Sequence, residues 1–220
     1  MPPAALTLER PRSVNDALAL LSASNDPRIL AGGQSLVPLL TLGFAAPEIV
    51  ISVDRCGDLD GITAGRETLR LGAMVTTRLV ETDPAVAAGA PLLAEAASNV
   101  GSPHVRNFGT LVGNLCHADP GSDLIPAALC LGAEVEVLSA RGSRLLDVDE
   151  LVAAPFMTSL AGDELAVSAL VPHEVRLRDR LLRGVHGPGG RGRGPFVLPA
   201  GGHDGGPRDH DDRGHRGRGT

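Results

Sequence analysis

Val105-Arg106-Asn107-Phe108-Gly109-Thr110-Leu111-Val112-Gly113-Asn114-Leu115-Cys116-His117-Ala118-Asp119-Pro120-Gly121-Ser122-Asp123 decides the reading of this chain. Small, turn-forming and hydrogen-bonding residues crowd into a segment that apolar runs flank on both sides, and packing alone gives no reason for so few bulky side chains. The pattern predicts an irregular, glycine-punctuated stretch over residues 101–123. In such a loop the amides of Gly113 and Asn114 can face a phosphate, with the Thr110 and Ser122 hydroxyls and the Asp123 carboxylate placed to bond ribose or adenine.

Toward the N-terminus, Ala31-Gly32-Gly33-Gln34-Ser35-Leu36 repeats the theme at the end of a strand and before a helix. Paired glycines allow a sharp turn and close approach to a ligand, and the helix start beyond them offers unpaired N–H groups and a positive dipole end. A diphosphate suits such a loop. The spacing is not the GxGxxG of a nicotinamide-binding turn, and an ordinary strand-to-helix turn explains the same residues as well.

Around these two stretches the hydrophobic periodicity sets the elements. Residues 5–9 read as a strand, and Ser13 caps a helix over 14–22 with Val14, Ala17, Leu18 and Leu21 on its apolar face. Strands over 28–31 and 48–53 enclose a second apolar helix, 36–42, ended by Gly43, which makes a β-α-β-α-β unit. Beyond it come a strand at 69–74, a short helix from Thr76, a helix opened by Pro84, and a helix at 91–100 with Leu92, Leu93, Ala96 and Ala97 on one face. A buried helix at 124–131 and strands at 133–139, 145–148 and 164–171 complete a strand-rich second part.

Composition narrows the function classes. The 220 residues are 43% hydrophobic with only four Phe and no Trp or Tyr, so the core is aliphatic. Every basic residue is Arg; without Lys there is no GK[ST] phosphate loop, no Schiff base and no Ser-Lys chemistry. Cys56, Cys116 and Cys130 form neither a CxxC pair nor a disulfide framework, which fits a reducing compartment. No signal-peptide pattern or membrane-length apolar run occurs, so a soluble cytoplasmic protein is expected.

The chain changes character near residue 175. Residues 1–175 carry 10 Arg and 21 acids, a net −11, whereas residues 176–220 carry 10 Arg and 5 Asp, a net +5. The later segment holds 13 of the 28 Gly and lacks hydrophobic period, so it is expected to be a disordered Arg/Gly-rich tail. Interleaved Asp and the lack of stacking aromatics weigh against a nucleic-acid arm, and no nucleic-acid partner is expected. Gly, Arg, Pro, His and Asp in excess are what an out-of-frame stretch of a GC-rich gene encodes, and that is the expected origin of this segment.

Three motifs, Gly-Gly-Gln-Ser-Leu at 32–36, Pro-Leu-Leu-Ala-Glu-Ala at 91–96 and the 105–123 stretch, closely resemble in order and spacing the FAD-binding medium subunit of the molybdenum hydroxylases, the family of the carbon monoxide dehydrogenase medium subunit and the xanthine dehydrogenase flavin domain. The likeness covers residues 5–172. It implies an α+β, two-lobed FAD-binding fold of the vanillyl-alcohol oxidase (PCMH) type, shared with a murein-precursor reductase. Residues 1–55 would form a small β-α-β lobe and residues 56–175 a larger strand-rich lobe with packed helices.

The resemblance also implies a site. Residues Ala31, Gly32, Gly33, Gln34, Ser35 and Leu36 and the turn with Thr110, Gly113 and Asn114 would hold the FAD diphosphate, Asp123 would reach the sugar-adenine end, and Val100 and Gly101 would lie beside the flavin ring. Molybdopterin and [2Fe-2S] clusters would reside in a large and a small partner subunit, and this chain would pass their electrons to an external acceptor. Two departures stand out. Val112 occupies a position where the family usually has Gly, and valine resists positive φ, so weaker cofactor binding is expected. Residues 176–220 also replace the family's completing strands and C-terminal domain, which makes a fragment that binds no FAD, or a stand-alone flavoprotein, the alternatives.

Other constellations carry less. His117, Asp119 and Asp123 lack the ligand set of a metal site, and none is expected. Cys116 reads as a packed side chain rather than a redox thiol. His104 and Arg106 read equally as solvated charges or as contacts to phosphate or a partner. No catalytic triad or carboxylate pair is placed, as befits a protein whose chemistry belongs to its cofactor.

Overall fold

The computed structural model describes residues 6–173. The expectations for residues 176–220 lie outside it.

Strand β1 (Thr7–Glu9) leads into helix α1 (Val14–Ala23), where Ser13 Oγ accepts the Asp16 amide at 3.1 Å and caps the helix as the sequence predicts. Val14, Ala17, Leu18 and Leu21, spaced by three and four residues, form its buried face. Strand β2 (Arg28–Leu30), helix α2 (Leu36–Thr41) and strand β3 (Ile49–Ser52) follow, and the three strands form a parallel sheet in the order β1-β3-β2. Helix α2 forms where the apolar run predicts it, and none of its residues is fully buried.

After a 3-10 turn at Gly57–Leu59 come strand β4 (Ile62–Ala64) and strand β5 (Thr68–Gly72). Leu69 and Leu71 are fully buried while Arg70 between them points the other way, the expected alternation. Helices α3 (Thr77–Thr82) and α4 (Pro84–Gly89) are capped by Thr76 and Asp83, whereas α5 (Pro91–Asn99) has no side-chain cap and starts on a proline, whose missing N–H costs nothing at a first helical position. In α5 only Leu93 and Ala97 are fully buried; Leu92, expected on the core face, lies one residue off the stripe and is exposed.

The largest difference falls in residues 101–123, which form helices α6 (Pro103–Phe108) and α7 (Leu111–His117) instead of an irregular stretch. Ser102 Oγ caps α6 through the Val105 amide, and Thr110 Oγ1 caps α7 through the Gly113 amide. Helix α8 (Leu124–Leu131) is buried as expected. Strands β6 (Glu134–Ser139) and β7 (Gly142–Asp147), helix α9 (Val148–Leu151), the hairpin of β8 (Val152–Ala154) and β9 (Met157–Thr158), and strand β10 (Leu165–Pro172) end the described chain.

A five-stranded antiparallel sheet in the order β4-β5-β10-β6-β7 forms the second part. Its central strand β10 is buried along nearly its whole length, with α7 and α8 packed against it, and its one buried hydroxyl, Ser168 Oγ, donates to Glu136 Oε2 at 2.7 Å. One unbroken cluster of buried residues runs from α1 and β3 through Leu59, Leu69 and Leu71 to Leu93, Leu111, Leu124 and Val135. The parallel and antiparallel sheets therefore share a core, which holds the turns between them in place. No helix among the described residues is long and apolar enough to cross a membrane.

Candidate functional site

The first turn leaves β2 and enters α2. Gly33 adopts φ 72°, a left-handed conformation open to glycine, and turns the chain. Residues 31–36 are all half-buried, yet the amides of Gln34, Ser35 and Leu36 make no hydrogen bond among the described residues, and Ser35 does not cap α2. Half-buried N–H groups need an acceptor, and a bound anion is one that fits.

The second turn connects α6 to α7 and is fastened to the chain before α3. Thr77 N donates to Gly109 O at 2.8 Å, Leu111 N donates to Val75 O at 3.1 Å, and Thr76 and Thr110 form an isolated antiparallel bridge. Thr110 is 3% exposed, and its Oγ1 accepts the Gly113 amide at 3.1 Å while its carbonyl accepts the Asn114 amide at 3.0 Å. The amides of Gly113 and Asn114, expected to be free, are thus engaged inside α7, because this segment is a capped helix and not a loop. Among the described residues the Val112 amide is the one in that first turn without a partner. Val112 itself sits at an ordinary helical position, is 2% exposed and needs no positive φ, so the strain expected there does not arise.

The two turns meet. A Cβ placed on Gly32 would lie 1.9 Å from Phe108 O and 2.9 Å from Gly109 Cα, so the backbones touch where only a glycine fits. Across the same junction, a Cβ on Gly109 would stand 3.5 Å from Gln34 Cγ, and one on Gly113 3.8 Å from Ala31 Cβ.

The remaining candidates spread from this junction. Val100 and Gly101 form the turn between α5 and α6, and their carbonyls accept Arg106 Nη1 at 3.0 and 3.4 Å. On the other side, Ser122 Oγ donates to Asn114 Oδ1 at 2.5 Å and accepts the Leu124 amide at 3.2 Å, so the hydroxyl expected on a ribose holds the loop together instead. Asp119 Oδ1 accepts the Gly121 amide at 2.9 Å. Asp123 is exposed, and its carboxylate makes no hydrogen bond or ion pair among the described residues. Cys116 keeps some surface but packs against the core, and burial pushes its thiol up to about 12, so it is no thiolate at neutral pH. The His117 ring packs against that of Phe156 in a tilted arrangement, with ring centroids 5.3 Å apart and 57° between the planes. Among the described residues no three His, Cys, Asp or Glu come together as a metal site.

A parallel β-α unit and a helix-covered antiparallel sheet, joined at two glycine turns with amides that have no partner among the described residues, define a two-lobed fold. The chain belongs to the family described as the FAD binding domain in molybdopterin dehydrogenase, whose model matches residues 4–174. It is 36% identical over 200 residues to the nicotine 6-hydroxylase medium subunit of Paenarthrobacter nicotinovorans, covering 90% of this chain and 65% of that one. Against the carbon monoxide dehydrogenase medium chain of Hydrogenophaga pseudoflava it is 37% identical over 163 residues, covering 74% and 57%. The solved carbon monoxide dehydrogenase of Hydrogenophaga pseudoflava superposes with a TM-score of 0.75 at 36% identity, over 79% of this chain and 61% of that one. The chain therefore spans somewhat under two thirds of the length of these relatives. The fold is the two-lobed α+β FAD-binding fold that the sequence motifs imply.

Proposed function

We propose that this chain binds FAD at the junction of its two turns and serves as the electron-transfer flavoprotein subunit of a molybdenum hydroxylase of the carbon monoxide, xanthine or aldehyde dehydrogenase type. One observation carries the reading: the backbone of Gly32 lies against Phe108 and Gly109, beside three amides of half-buried residues that lack an acceptor among the described residues. The small lobe, residues 1–55, and the larger lobe, residues 56–175, enclose the cofactor. Ala31, Gly32, Gly33, Gln34, Ser35 and Leu36 wrap the diphosphate. Thr110, Gly113 and Asn114 support it from α7, chiefly by holding the first turn of that helix in place. Asp123 takes the sugar-adenine end, its carboxylate free to accept hydroxyls. Val100 and Gly101 lie beside the flavin ring.

When bound, FAD would supply the redox chemistry between the iron–sulfur clusters of a partner and an external acceptor. The chain's own residues position it and exclude water. The partners are a large molybdopterin-binding subunit and a small subunit with iron–sulfur clusters, in the cytoplasm, and the final acceptor is external. The exposure of Val37 (47%), Leu42 (68%) and Phe44 (77%) on and after α2 supports a partner on that side, since apolar surface of this kind is normally covered in an assembly.

Flavin absorbs and emits in visible light, where the polypeptide does neither, so its emission reports on the cofactor alone. Titration of the 220-residue chain with FAD is expected to quench that emission saturably. Co-expression with the two partner subunits is expected to yield a yellow complex on size exclusion. A chain that elutes alone and colourless, with no quenching, overturns the proposal.

A further inference from the structure

Arg106 was open to two sequence readings, a solvated charge or a contact to phosphate or a partner, and its surroundings match neither. Its side chain is 12% exposed, and its guanidinium faces inward. Nη1 donates to Val100 O and Gly101 O, while Nε lies 3.0 Å from Glu81 Oε2. The latter is a close charge contact and not an aligned hydrogen bond, and Arg78 Nη1 reaches the same oxygen at 3.0 Å. A largely desolvated guanidinium is costly unless paired, and this one ties three elements together: α3 through Glu81, the end of α5 through Val100 and Gly101, and α6 through its own backbone.

We infer that Arg106 is a positioning residue that fixes the Val100–Gly101 turn toward the flavin ring, on the reading that FAD is the ligand. Two features of the geometry carry this. Helix α6, six residues long, separates that turn from the junction at Gly109 by about 9 Å of helical rise, so a ligand anchored at the junction by its phosphates can meet the turn with one end. Because Arg106 draws both carbonyls inward, the amides of Gly101 and Ser102, which make no hydrogen bond among the described residues, are left as the turn's outward donors. The polar edge of an isoalloxazine carries acceptors, and donors held near it favour the ring with no reorganisation on binding. ADP has the phosphates and the adenosine but not the ring, so it does not feel this turn.

Calorimetric titration of the 220-residue chain with FAD and with ADP separates the possibilities. Arg106→Gln is expected to weaken FAD on the order of tenfold and ADP by less than about twofold, and to alter the absorbance band of bound flavin. Arg106→Lys, which keeps the charge beside Glu81 but loses the planar fork, is expected to recover part of the FAD affinity. The double variant Glu81→Gln with Arg106→Gln removes the carboxylate that has lost one of its two arginines and gives the same FAD-to-ADP contrast should the single variant not fold. Parallel losses for both ligands, or no loss for either, overturn the inference. An unsubstituted chain that binds no FAD overturns the cofactor reading first, and the inference with it.

Discussion

The two glycine turns lie against each other yet use their backbones in opposite ways. In residues 31–36 three successive amides have no partner among the described residues, and the Ser35 side chain does not cap α2. In residues 109–114 almost every polar group is engaged: Gly109 O by Thr77, the Leu111 amide by Val75, and the Gly113 and Asn114 amides by Thr110. Among the described residues the first turn keeps free donors, and the second is almost fully engaged and largely buried. On the proposed reading, ligand binding and stability are therefore separable, with the donors on the first turn and the scaffold that holds them on the second.

Gly32 is where the two roles cannot be separated, so it gives the largest effect. Gly32→Ala puts a methyl 1.9 Å from Phe108 O, a backbone atom that α6 holds in place, and the turns must part. Expected outcomes are a loss of roughly 1–3 kcal/mol in denaturant unfolding from overpacking, and FAD binding weakened about a hundredfold or more in a fluorescence titration. Unchanged FAD affinity would mean that contact between the turns is irrelevant to the site.

A matched pair sharpens the contrast. Thr110→Ala removes the cap of α7 and strands a buried amide, with an expected cost of about 1 kcal/mol that Thr110→Ser restores. Ser35→Ala removes no side-chain hydrogen bond among the described residues, so stability should stay within about 0.5 kcal/mol while FAD affinity drops about tenfold, roughly the size of one lost hydrogen bond to a charged group. Thermal melts beside FAD titrations read both axes. If Ser35→Ala proves the destabilising change and Thr110→Ala the silent one, the division of roles is reversed.

The first turn was more legible in the sequence than the second, and the reason is physical. In the N-terminal unit, period 3.6 in α1 and the glycine pair after β2 each mark one structure, and Ser13 caps where expected. In residues 101–123 the same small residues that signal a loop also begin helices. Ser102-Pro103 is a cap followed by a proline at the first helical position, and Thr110 is a cap whose partner amide is three residues on. Read as helix starts, they predict α6 and α7, and they move Val112 from a strained loop position to a helical one. The short strands β4, β8 and β9 have too few residues to show a period. The inward Arg106 has no local signal at all, because Glu81 and the Val100 and Gly101 carbonyls become its neighbours only in the folded chain.

The smallest effect belongs to a control distant in role from both turns. Arg144 Nε and Nη2 hold the Glu164 carboxylate at 2.8 and 2.7 Å, and the Ala161 amide adds a third bond. The Arg144 hydrogen bonds, followed by that of Ala161, keep the Glu164 carboxyl below its ordinary value of 4.5 despite the opposing effect of burial. A carboxyl lowered in the folded state stabilises fully above its unfolded value, and that contribution fades as pH falls through the folded one. Melting temperature is therefore expected to decline on acidification below about pH 4.5, and Glu164→Gln should flatten that decline while lowering the neutral-pH melt by less than Thr110→Ala does, since Arg144 is largely solvated. FAD affinity should not follow either change at neutral pH. Were it to follow, stability of the antiparallel sheet alone would govern binding, and the free amides of residues 34–36 would lose their special standing.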